Sequence, residues 1–155
     1  TLNLHHLTIV APDAGGGRRA EAVANQLTAP IAFGYKRRPQ DDQSEVIAVS
    51  GDVKGRDCVV VEDIITTGGT ISKLAEALRA QGANKVLIAA THPVLTGDAV
   101  GRLRQADVDE VIVTDSVPIP AEKLGPPLTV LSVAPLLAEA IIRVHENRSV
   151  SELFR

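Results

Sequence analysis

The chain has 155 residues, 45% apolar and 2% aromatic, with a formal net charge of -3 and a single cysteine. These totals fit one domain or half of a larger enzyme, and they exclude an internal disulfide framework and any general attraction to nucleic acid or membranes. No apolar run approaches the ~20 residues of a bilayer span, no signal-peptide pattern opens the chain and no CxxC or His-rich spacing points to zinc, so the cytoplasm is the expected compartment.

Apolar runs alternate with amphipathic ones along the chain. "HLTIVAP" reads as a strand, "RRAEAVANQLT" as a short helix and "PIAFGYK" as a second strand. "RRPQDDQSE" is polar and proline-broken, so it is expected to be a mobile loop. "VIAVS" and "CVVVEDI" read as strands joined by the turn "GDVKG". In "TISKLAEALRAQG" the residues Ile71, Leu74, Ala75 and Leu78 share one helical face, and Gly82 supplies the stop. Then follow a strand "KVLIAAT", a helix "GDAVGRLRQA", strands "EVIVTD" and "LTVLSV", and a closing helix "PLLAEAIIRVHEN" with proline at its start. A core so poor in aromatics must be built from Val, Ile, Leu and Ala, which suits buried parallel strands. The expected fold is a single α/β domain over 1–155, a central, mostly parallel sheet flanked by helices in three Rossmann-like layers.

In such sheets ligands bind beyond the carboxyl ends of the strands. That rule gathers "APDAGGGRR", "YKRRP", "EDIITTGGT" and "THPVLTG" at one edge, although they lie far apart in sequence. Residues Thr66 to Thr70 join a strand to a helix, so backbone N–H groups of Thr66, Thr67, Gly68, Gly69 and Thr70 can converge on an anion. The same residues could instead form a plain turn with a threonine as helix cap. Glu62 and Asp63 weigh against the plain turn. Two adjacent carboxylates would repel a bound phosphate unless sugar hydroxyls or a divalent metal lay between. A ribose 5-phosphate offers both ends: hydroxyls for the acids and a phosphate for the cradle. "PDAGG" sets a carboxylate beside glycine amides, and "KRRP" sets three cations in a row.

"VVVEDIITTGGT" resembles the ribose-phosphate signature of the type I phosphoribosyltransferase superfamily. With "APDAGG", "KRRP", "GDVKG", "ATHPVLTG" and "LSVAPLLAEAIIRVHENRSVSELF" in the same order, nearly the whole chain resembles the carboxyl-terminal half of the ribose-phosphate pyrophosphokinase (PRPP synthetase) family. The resemblance implies transfer of the β,γ-diphosphoryl group of MgATP to the 1-hydroxyl of ribose 5-phosphate, giving phosphoribosyl pyrophosphate (PRPP) and AMP. It implies that Thr66 to Thr70 hold the 5-phosphate and that Glu62 and Asp63 take the ribose hydroxyls. Asp13, Ala14, Gly15 and Gly16 would form the pyrophosphate loop, with Asp13 and Asp63 as Mg²⁺ ligands. Lys36 and Arg38 would be the catalytic cations, on a loop able to close, and Arg37 could point outward. ATP, ribose 5-phosphate and PRPP are the implied partners, with a homo-oligomeric assembly.

Two departures from the family pattern stand out. Glu62 replaces the usual aspartate, and Thr66 occupies a position where the family carries aspartate. Both bring the motif closer to its orotate phosphoribosyltransferase version. The alternatives are therefore a small PRPP-dependent transferase or a noncatalytic synthetase-associated module. Against the transferase, the chain has only Phe33, Tyr35 and Phe154 to grip a base. The chain starts at a threonine just before a strand, which fits an excised half, so the isolated chain is expected to bind ribose phosphates with little or no synthetase activity. His92 is expected to be structural, bonding a backbone carbonyl. His5, His6 and His145 receive no role, and Cys58 is expected to pack in the core.

Overall fold

The alternating runs fold as their periodicities dictate, period two for strands and 3.6 for helices. In the computed structural model, which describes residues 4–37 and 46–154, they become β1 (Leu7–Ala11), α1 (Gly17–Leu27), β2 (Ile31–Arg37), β3 (Val46–Ser50), β4 (Asp57–Ile65) and α2 (Gly69–Ala80). There follow β5 (Lys85–Pro93), α3 (Ala99–Gln105), β6 (Glu110–Thr114), β7 (Leu128–Leu131) and α4 (Ala134–His145). The strands make one sheet in the order β3-β2-β1-β4-β5-β6-β7.

Every neighbouring pair is parallel except β2 and β3, which run antiparallel from Phe33↔Ser50 to Arg37↔Val46. Chain length explains the exception. A parallel return needs a crossover of about a dozen residues or more, whereas only 38–45 separate these two strands. The antiparallel pairing also places the Lys36 backbone inside β2, opposite Ile47.

Strand alternation sends side chains to two separate cores. Val10, Val60, Ile88 and Val111 pack with Leu74 and Leu78 of α2 and with Leu103 of α3. On the other face Ile9, Val59, Val61 and Leu87 meet Ala20 and Ala24, whose small side chains let α1 lie close to the sheet. Cys58 belongs to the first core, and burial pushes its thiol up to about 11, so it is packing and not a nucleophile. At the amino end of β4 the buried Asp57 accepts the His5 N–H at 2.8 Å and the Asn84 side-chain amide at 2.6 Å. Burial pushes its carboxyl upward, but these bonds outweigh it and hold the group below its ordinary value.

Helix α4 lacks cover. No residue of α4 is buried, and Leu136, Leu137, Ile141 and Val144 are all exposed, Ile141 at 70%. Among the described residues no helix is long and apolar enough to cross a membrane.

Candidate functional site

At the carboxyl edge of the sheet, the turn after β4 and the loop after β1 share one cavity of about 150 Å³. Asp13, Glu62 and the run Thr66, Thr67, Gly68, Gly69 and Thr70 line it. Three of the four sequence segments expected at this edge can be followed: the loop after β1, the end of β4 with its turn, and the stretch from Val94 that follows β5.

The turn is a cradle because its carbonyls are tied elsewhere. Leu95 N–H donates to the Ile65 carbonyl and Thr96 N–H to the Thr66 carbonyl, both at 2.9 Å. Arg102 of α3 donates from Nη1 to the Thr67 carbonyl at 3.0 Å. In a planar trans peptide the C=O and the following N–H point in opposite directions. With these three carbonyls held by Leu95, Thr96 and Arg102, the amides of Thr66, Thr67 and Gly68 point away from those partners, and all three residues line the cavity. The Gly68 carbonyl takes both the N–H and the Oγ of Ser72 at 2.8 Å, which starts α2.

Gly68 itself is the N-cap, with φ of 72°, and no side chain caps the helix. The turn-with-threonine-cap alternative thus fails. Neither Thr66 nor Thr67 spends its hydroxyl on the helix end, and both side chains stay exposed at the cavity. The positive end of α2 adds a field that favours an anion.

Asp13 reaches the same cavity from the opposite side. Its Oδ1 accepts the Gly16 N–H at 2.9 Å, so one of the loop's amides is directed at the aspartate itself. Ala14 and Gly15 complete the turn that leads into α1.

Glu62 and Asp63 occupy the end of β4, and the structure supplies a neighbour that the sequence reading did not assign. Arg19, on α1, donates from Nη1 to Glu62 Oε1 at 3.0 Å, and its Nη2 forms an ion pair with Asp63 Oδ2 at 2.7 Å. Part of the charge of the paired acids is therefore offset within the protein, without a sugar or a metal. The Asp63 N–H also donates to Glu62 Oε1 at 2.9 Å. Burial, with the adjacent Asp63, pushes the Glu62 carboxyl above its ordinary value. The hydrogen bond from Glu62, with the Arg19 guanidinium, holds Asp63 below its own. The two titrate as a pair. Glu62 lines the cavity, whereas Asp63 sits beside it with its side chain 54% exposed.

Lys36 lies near the end of β2, and Arg38 falls outside the described residues, as does most of the expected loop "RRPQDDQSE". His92 bonds a hydroxyl instead of the expected carbonyl: its Nδ1 is 2.9 Å from Ser116 Oγ, which donates in turn to the Thr91 carbonyl. Among the described residues no group of three or more His, Cys, Asp or Glu forms a cage for a metal. A Mg²⁺ ion needs none, since it is commonly held by one or two carboxylates, waters and substrate phosphates. Asp13, beside an amide-lined anion cradle, meets that requirement.

Arg19 and Arg102 are the residues that sequence reasoning missed. Each stands on a helix, where an arginine ordinarily reads as a solvated residue. Their partners, Glu62 and Thr67, are 43 and 35 residues away along the chain.

Comparison with known proteins agrees with this geometry. The chain is 48% identical over 148 residues to the ribose-phosphate pyrophosphokinase of Listeria ivanovii, which covers 96% of this chain and 46% of the relative. It is 47% identical to a solved phosphoribosylpyrophosphate synthetase from Mycobacterium smegmatis, with a TM-score of 0.82 over 92% of this chain and 46% of that one. An adenine phosphoribosyltransferase from Trypanosoma brucei, solved with AMP, pyrophosphate and ribose-5-phosphate, is 22% identical. Its TM-score is 0.58, over 82% of this chain and 63% of its own, which shows the shared phosphoribosyltransferase-type α/β fold. The chain spans about half the length of the curated relatives it matches. Residues 35–155 match the family described as "Phosphoribosyl synthetase-associated domain", and the chain belongs to that family.

Proposed function

We propose that this chain is the ribose 5-phosphate-binding, catalytic domain of a ribose-phosphate pyrophosphokinase, and that it works with a second domain corresponding to the amino-terminal half of its relatives. The observation that carries this reading is the single cavity in which Asp13 and Glu62 face a turn whose carbonyls are tied back and whose amides are free for an anion.

The cavity suits a sugar phosphate lying across it. Its 5-phosphate would take the amides of Thr66, Thr67, Gly68 and Gly69 and the hydroxyls of Thr66, Thr67 and Thr70, while Glu62 and Asp63 accept hydrogen bonds from the ribose hydroxyls. That pose directs the 1-hydroxyl toward the loop Asp13, Ala14, Gly15 and Gly16, where the diphosphoryl group would arrive. Asp13 and Asp63 would hold Mg²⁺, which supplies charge neutralisation to the phosphoryl oxygens. Lys36 and Arg38 would bring further positive charge to the transferring group.

A second domain would also cover the apolar face of α4 and Phe154, which is 68% exposed. ATP binding, oligomerisation and a cytoplasmic setting belong to this reading as well.

Calorimetric titration of the 155-residue chain with ribose 5-phosphate, PRPP, MgATP and orotate tests the reading. It predicts binding of ribose 5-phosphate and PRPP, no orotate binding even with PRPP, and little or no AMP formed from ATP and ribose 5-phosphate. Binding of orotate with PRPP would instead indicate a transferase. No binding of any ribose phosphate would overturn the proposal.

A further inference from the structure

A phosphate bound in the cradle brings negative charge close to two carboxylates that are already adjacent. Like charges at such range disfavour binding unless a cation lies among them. Arg19 is placed to be that cation, and its geometry does more than lower the charge. The two guanidinium nitrogens each take a different acid, Nη1 to Glu62 Oε1 at 3.0 Å and Nη2 to Asp63 Oδ2 at 2.7 Å. Only a planar fork spans two carboxylates in this way; an ammonium is a point charge without that fixed separation.

The second observation concerns where Glu62 could otherwise go. A separate cavity of about 300 Å³ opens on the α1 side of the sheet, lined by Val23, Val61, Ala89 and Ile112. Arg19 and Glu62 belong to its wall, and Glu62 lines the cradle cavity as well. Glu62 thus stands between two spaces, and its carboxylate has room to turn away from the cradle. Two donors restrain that freedom, the Arg19 guanidinium and the Asp63 N–H, both on Oε1. The guanidinium engages one oxygen of each carboxylate and leaves the second oxygen of each without a bond to Arg19.

We infer that Arg19 is a positioning residue for recognition of the ribose hydroxyls: it aligns Glu62 and Asp63 at the cradle and offsets their charge against the incoming phosphate. The inference rests on the ribose-phosphate reading above. It extends the site to a helix residue that touches no substrate, and it separates two contributions. The charge of Arg19 serves the phosphate end, and its fork serves the sugar end.

Calorimetric titrations of the wild-type chain, R19M and R19K with ribose 5-phosphate, and separately with inorganic phosphate, test this. R19M is expected to weaken ribose 5-phosphate binding about tenfold or more, and phosphate binding by less. R19K is expected to recover phosphate affinity while ribose 5-phosphate stays weakened, because a lysine restores charge without the fork. A purely structural role would lower both affinities by one factor and let R19K recover both. That outcome, or R19M binding ribose 5-phosphate as the wild type does, overturns the inference. Should R19M fail to fold, the contrast between the two ligands in R19K decides alone. A wild-type chain that binds no ribose 5-phosphate overturns the functional reading and the inference together, whereas a binding wild type with an indifferent R19M overturns only the inference.

Discussion

Gly68→Val is expected to weaken ribose 5-phosphate binding about 100-fold, equivalent to about 2.7 kcal/mol. Gly68 holds a left-handed backbone, φ 72°, at the point where the cradle becomes α2. A Cβ there would stand 3.4 Å from the Ala99 carbonyl oxygen and 3.7 Å from both the Ala99 Cα and the Leu103 Cγ. A β-branched residue is a strong outlier in that conformation, and holding one there costs on the order of 1–3 kcal/mol. The turn would reset its peptide planes to escape, and the amides of Thr67 and Gly68 would leave the cavity. Each charge-assisted bond lost to a phosphate contributes about 1.5–3 kcal/mol, so one or two account for the whole effect. Circular dichroism should show α2 still folded. Wild-type affinity in a folded Gly68→Val variant would mean that the turn is not where the phosphate binds.

The largest loss of stability is expected from Gly51→Ala. Gly51 sits at φ +126°, and an added Cβ would come within 2.7 Å of both the Cα and the Cβ of Ala32. Ala32 is wholly buried in β2, so no flexible side-chain end can give way. Backbone strain and overpacking each cost on the order of 1–3 kcal/mol, and together they should lower stability by about 3 kcal/mol or more. For a chain of this length that corresponds to a fall in Tm of about 8 °C or more. Urea unfolding followed by circular dichroism measures it directly. A variant that unfolds at the wild-type urea midpoint would show that β2 and β3 do not meet as closely as they do here.

Most of the architecture was legible in the sequence because each element carries its own period. The β4–turn–α2 unit is the clearest case. Its valine run, its acids, its glycines and the spacing of Ile71, Leu74 and Leu78 are all local signals, and the structure places them as expected. The direction of β3 was not read, since "VIAVS" looks the same in either orientation. Only the length of chain before it decides, and 38–45 is too short for a parallel return. Lys36 reads both as the end of the strand "PIAFGYK" and as part of a closing loop; its backbone pairs within β2.

The candidate site was legible where consecutive residues build it and illegible where distant ones complete it. Thr66 to Thr70 announce themselves as a unit. Arg19 and Arg102 do not, because nothing in a helical pattern distinguishes an arginine facing solvent from one reaching a strand end. The paired acids invited a sugar or a metal as their explanation, and Arg19 supplies a third that only packing reveals. Exposure of α4 was likewise hidden. "PLLAEAIIRVHEN" has the composition of a helix that covers a sheet, yet within this chain its apolar side chains stay exposed.

A crystal structure of the chain grown with ribose 5-phosphate tests the central claim most directly. The account predicts the phosphate against the amides of Thr66 to Gly69 and the sugar hydroxyls within hydrogen-bond distance, about 2.6–3.2 Å, of Glu62 and Asp63. A phosphate lodged elsewhere, or a turn whose Thr67 and Gly68 amides point into the protein, would contradict it.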